Sequence, residues 1–102
     1  MANYWISLRI KNDSSYDERY NDFVAALHAV KANGYWPETT AFWIIESNLA
    51  IDPFVKAITK PLDGKKDMVL VRKIAHDESR YFGAIEYPDV LKSFIPNIQK
   101  AA

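Results

Sequence analysis

With 102 residues, thirteen of them Lys or Arg and thirteen Asp or Glu, the chain carries a formal net charge of zero. That length accommodates one domain, 1–102, which buries about two thirds of its unfolded surface, and the charge balance argues against a dedicated non-specific nucleic-acid binder. The absence of cysteine excludes disulfides and thiolate metal sites; with no signal-peptide pattern and no apolar run near about 20 residues, the expected setting is the cytoplasm, with no membrane partner.

In chain order, Tyr4, Ile6, Leu8 and Ile10 alternate with Trp5, Ser7, Arg9 and Lys11. Period two marks a strand with one buried face. Asn12 to Ser14 read as a loop, and Ser15 with Glu18 as a capping box opening a helix. Tyr16, Tyr20, Phe23, Val24, Leu27 and Val30 draw one apolar stripe along it. Asn33-Gly34 supplies a C-terminal stop. A short strand at Tyr35-Trp36, ended by Pro37, precedes a strand over Thr39 to Glu46 that is apolar on both faces. Asp52-Pro53 launches a second helix with Phe54, Val55 and Ile58 on its apolar side. It ends at Pro61 and Asp63-Gly64. Met68 to Ile74 form the next strand; a turn at Ala75 to Ser79 leads to a strand at Arg80 to Tyr87, and the two strands are expected to pair as a hairpin. Tyr87-Pro88-Asp89 opens a last short helix with Val90, Leu91, Phe94 and Ile95.

The expected architecture is α+β, a ferredoxin-like βαββαβ sandwich with an extra C-terminal strand and short helix. Two helices on one face of an antiparallel sheet leave the other face open. Aromatic residues there are expected to pair it with a second copy through the sheet face or edge strands.

Three segments carry a resemblance: Tyr4-Trp5-Ile6-Ser7-Leu8; Gly34-Tyr35-Trp36 followed by Thr39-Thr40-Ala41-Phe42-Trp43; and Asp67-Met68-Val69-Leu70-Val71. In order and spacing, over roughly residues 3 to 75, the chain resembles the small ferredoxin-fold family of the CRISPR-associated adaptation subunit and the virulence-associated protein D ribonucleases. The resemblance implies a homodimer and a link to nucleic acid. It also implies that nuclease members hold a divalent metal between aspartates at the ends of the two first strands. Arg9 stands at the matching position, and a fixed cation opposes metal binding. The nuclease activity is therefore not carried over; the fold and the dimer are.

Among chemistry-bearing residues, Arg9, Lys11, Arg72 and Lys73 are candidates for phosphate contacts, and Trp5, Trp43 and Tyr81 for a dimer interface. His76-Asp77-Glu78 reads as a polar turn, His28 as a half-buried histidine bonded to backbone, and Asp13, Asp17 and Glu18 as helix-dipole and capping residues. Gly34, Gly64 and Gly83 are isolated and form no phosphate loop; Gly83 is expected at a strand bulge or a close backbone approach. No catalytic residue, metal ligand or cofactor is assigned. The expected function is a non-catalytic homodimer with a structural or regulatory role and weak nucleic-acid contact. The alternatives are a metal-dependent nuclease whose carboxylates have moved to Asp13, Asp17 or Asp67, and a protein-interaction module such as an inhibitor or immunity protein.

Overall fold

The structure is a computed structural model and describes residues 1–74, 80–81 and 83–101. Strand β1 (Ala2–Arg9) is followed by α1 (Tyr16–Val30), β2 (Lys31–Trp36), β3 (Phe42–Ser47), α2 (Ile51–Thr59) and β4 (Met68–Lys73). Four strands form one antiparallel sheet in the order β2-β3-β1-β4. The chain ends with β5 (Arg80–Tyr81), α3 (Pro88–Phe94) and β6 (Gln99–Lys100).

The alternation read in the first strand sets the layering. Tyr4, Ile6 and Leu8 of β1 join Trp43 and Ile45 of β3 beneath Phe23 and Leu27 of α1 and Phe54 and Ile58 of α2. The Tyr4 ring stacks on Phe54 at 4.4 Å between centroids, and its hydroxyl donates to the Leu49 carbonyl at 2.9 Å. At the far end, Ser47 Oγ donates to the Val30 carbonyl (2.7 Å) and accepts from the Leu49 N–H (3.2 Å), which ties the end of α1 to β3.

A second core lies on the opposite face. Trp36 and Ile44 meet Leu91, Phe94 and Ile98 there, with Trp5 and Phe42 packed alongside. Here α3 acts as a lid over the β2–β3 half of the sheet. The Glu38 carboxylate anchors it by accepting from Trp36 Nε1 (2.9 Å), from the Tyr87 N–H (3.0 Å) and from the Glu86 N–H.

Several expectations change. The first helix stops at Val30, where Lys31 turns extended, so Asn33-Gly34 lies inside β2 rather than at a helix end. Gly34 is required for space instead: a Cβ there would lie 2.9 Å from Phe94 Cε1 and closer still to Cζ. The Ser15 side chain makes no cap bond; it is drawn away to Asp13 and Arg19. The second helix begins two residues earlier than read, with Ala50 as its N-cap and Asp52 and Pro53 in the first turn. The hairpin partner expected for β4 is not seen among the described residues: β5 covers only Arg80–Tyr81 and pairs in parallel with β6. The turn at residues 75–79 lies outside the described residues. Gly83 follows β5 with φ 96°, the left-handed region that only glycine adopts freely, and marks no strand bulge.

Candidate functional site

Two places concentrate polar chemistry. The first is a buried ion cluster where the β1–α1 loop meets the α2–β4 loop. Arg19 projects from the first turns of α1, one turn before Phe23 and two before Leu27, and is buried with them. Its guanidinium clamps Asp67 in two parallel bonds, Nε to Oδ2 at 2.9 Å and Nη2 to Oδ1 at 3.2 Å. Nη1 donates to Asp13 Oδ1 (3.0 Å) and to Ser15 Oγ, and Nη2 also donates to the Lys11 carbonyl (3.1 Å). All five guanidinium donors have acceptors.

The Asp67 side chain is fully buried. Besides Arg19 it accepts from the backbone N–H groups of Lys11 (3.1 Å) and Asp63 (2.9 Å), which fills the carboxylate's acceptor sites. Burial pushes the Asp67 carboxyl up, but the hydrogen bonds from Asp63, Arg19 and Lys11 outweigh it and hold it below the usual range. Asp13 is held well below that range too, chiefly by Arg19, with Ser15 and Lys66 adding to the effect. Lys66 Nζ reaches Asp13 Oδ2 at 3.3 Å.

This cluster changes the reading of the carboxylates. Asp13 and Asp67, two of the three offered as relocated metal ligands, are both paired with the Arg19 guanidinium, and Asp13 also with Lys66. Among the described residues, no group of three or more His, Asp or Glu side chains is placed to hold a metal ion. Arg19 was not singled out in the sequence. Its signal was its place on the apolar stripe, four residues before Phe23 and eight before Leu27, where a charge needs a buried partner.

The second place is the half of the sheet that α3 leaves uncovered. By the β1–β4 register, Trp5 lies opposite Arg72, Ser7 opposite Leu70 and Arg9 opposite Met68. Val69 and Val71 pack into the helix-side core, so Met68, Leu70 and Arg72 present the other face. Met68 is 54% exposed and Leu70 60%. Together with Ser7, Leu8, Arg9 and Val69 they line a shallow depression. Of the four cations read as phosphate contacts, the sheet brings together Arg9 and Arg72, on one face and about 13 Å apart along the strands. Lys73 shares the register side of Tyr4, toward the helices, and Lys11 sits in the loop bound to Asp67 through its backbone.

The aromatic residues divide. Trp5 lies on the second face, half-buried, stacked on Phe42 at 5.9 Å. Trp43 is 2% exposed, 5.6 Å from the Phe23 ring in the helix-side core. It therefore offers no surface for an interface, because β3 turns odd-numbered residues toward α1. Tyr81 falls in β5, and its side chain lies outside the described residues, as do His76, Asp77 and Glu78. His28 is exposed, not half-buried, with its ring 4.8 Å from that of Tyr35.

No model of a known protein family matches this chain, and no curated protein matches it. Among the described residues, no helix is long and apolar enough to cross a membrane. The mixed α/β build, with a four-stranded antiparallel sheet and helices on both faces, stands on the geometry alone.

Proposed function

We propose that this chain is a non-catalytic ferredoxin-like protein that acts as a homodimer in a structural or regulatory role. The ferredoxin-like reading is supported by the order β1-α1-β2-β3-α2-β4, by the strand order β2-β3-β1-β4, and by α1 and α2 sharing one face. On this reading the chain is a relative of the CRISPR-associated adaptation subunit and virulence-associated protein D group, with Arg9 in place of the metal-binding aspartate. The observation that carries the dimer is the uncovered β1–β4 half of the sheet, where Met68 and Leu70 stand more than half exposed beside the half-buried Trp5. Exposed apolar side chains that adjoin one another in a patch, rather than singly, are the mark of an interaction surface.

Sedimentation velocity across a concentration series tests this. The chain is expected to approach twice its monomer mass at high micromolar concentration. Leu70→Glu is expected to weaken association by at least about tenfold, equivalent to roughly 1.4 kcal/mol, with the circular dichroism spectrum unchanged because Leu70 is exposed in the monomer. A native chain that stays monomeric throughout overturns the reading.

A second reading, weak nucleic-acid contact, draws on Arg9 and Arg72 sharing that face. Binding to a single-stranded oligonucleotide should then weaken with salt by a log–log slope of about −0.7 per phosphate contacted. A flat slope, or no binding at low salt, removes this role and favours a protein partner.

A further inference from the structure

The two edges of the sheet are not alike. The β2 edge is blunted: its register with β3 shifts between Lys31 and Tyr35, and Pro37 follows directly. Bulges, charges and proline are the ordinary means by which an edge is kept from pairing with another chain. The β4 edge has none of these along Met68-Val69-Leu70-Val71. Its pairing with β1 runs without a break from Lys73 opposite Tyr4 to Met68 opposite Arg9, and among the described residues no strand pairs with its far side.

The direction of its backbone groups follows from one bond. The Ile74 N–H donates to the Asn3 carbonyl at 2.8 Å. In an antiparallel ladder such pairs alternate, so Arg72, Leu70 and Met68 also turn their N–H and C=O groups toward β1. Val69, Val71 and Lys73 turn theirs outward, to where a further strand would lie.

We propose that two copies join along these outer edges, β4 against β4 in antiparallel register centred on Leu70, making two four-stranded sheets into one of eight strands. This deepens the homodimer reading above and rests on it. The occupant is a second copy because the segment is complementary to itself, as a two-fold interface requires. In this register Val69 and Val71 exchange backbone bonds with Val71 and Val69 of the second copy. Leu70 meets Leu70, and Arg72 lies opposite Met68. The two Arg72 side chains stay well over 10 Å apart. Moving the centre to Val69 sets Lys66 opposite Arg72 and Lys65 opposite Lys73, like against like. Moving it to Val71 brings the two Arg72 side chains to diagonal neighbours, about 7–8 Å apart. Stacking the open faces instead would gather Arg9 and Arg72 of both copies over one small apolar patch.

The absence of cysteine makes the test direct. Directly opposed positions in such a pair have Cα atoms about 4.5–5.5 Å apart, within disulfide range. Under mild oxidation Leu70→Cys is expected to cross-link into a covalent dimer at least about tenfold faster than Ser7→Cys. Ser7 lies one strand further in, so its copy sits three strand spacings, about 14 Å, away. Met68→Cys alone should not link, but Met68→Cys mixed with Arg72→Cys should. A chain that sediments as a dimer yet links fastest through Ser7→Cys, or fails to link through Leu70→Cys, overturns the edge register and leaves the homodimer reading standing. A chain that sediments as a monomer overturns both.

Discussion

Arg19→Met is expected to lower the Tm by on the order of 10 °C, the largest effect of any single replacement outside the apolar cores. Methionine keeps much of the stem's bulk but removes the charge and all five donors. It leaves the Asp67 carboxylate, fully buried, with only the Lys11 and Asp63 amides. Breaking a buried pair from one side is far more costly than lacking the pair, because the surviving charge stays out of water without compensation. Thermal melts of the single and double variants check this: Asp67→Asn added to Arg19→Met should recover part of the loss, since a neutral amide is less costly to bury than an orphaned charge. The same cluster fixes the acid response. Asp13 and Asp67 both have folded-state pKa values below the unfolded one. Their contribution is therefore fully present above the unfolded value of about 3.9 and lost as pH falls below it toward the folded values. The native Tm should hold between about pH 7 and 5 and drop below about pH 4. The Arg19→Met deficit should shrink over that same range, because a protonated Asp67 no longer needs the cation. A deficit that is independent of pH would show that Arg19 matters for packing alone.

Gly34→Ala is expected to destabilise the chain by about 1–3 kcal/mol, the usual range for overfilling a core, although alanine is normally tolerated in a strand. The reason is the Phe94 ring, whose tip points at the glycine and which is itself 3% exposed, held among Trp36, Ile44, Leu91 and Ile98. With no free volume to swing into, the ring must carry α3 outward. Chemical denaturation should report the loss. Phe94→Leu in the Gly34→Ala background should restore part of it, as the shorter side chain vacates the space the methyl needs. If Gly34→Ala is neutral, α3 is not seated on β2 as described.

How far the sequence foretold this arrangement depended on the range of the interaction. The Tyr4-Ile6-Leu8 alternation and the Phe23-Leu27 stripe are local periodicities, and both faces they define came out as read. Gly34 looked like a helix stop because Asn-Gly is a local turn signal. Its real constraint comes from Phe94, sixty residues on, which no local pattern contains. The deepest partner of Arg19 is just as remote in sequence, since Asp67 is 48 residues away. Ser15 and Glu18 matched a capping box in spacing, but a buried guanidinium competed for the serine oxygen and took it. The expected hairpin after β4 relied on adjacency in sequence, whereas β5 found its neighbour in β6 at the C-terminus. The face expected to be open is half covered by α3. The uncovered remainder is narrower than the sequence implied, and it sits next to the unblunted edge.

The division of the aromatic residues between two cores has a spectroscopic consequence. Trp43 lies beneath α1, while Trp36 and Trp5 belong to the layer under and beside α3, with the Trp36 indole N–H bound to Glu38. The three tryptophans thus act as built-in optical reporters, one for the helix-side core and two for the C-terminal seal. Loosening of the C-terminal segment and melting of the main core would register in different indoles of the same unlabelled chain.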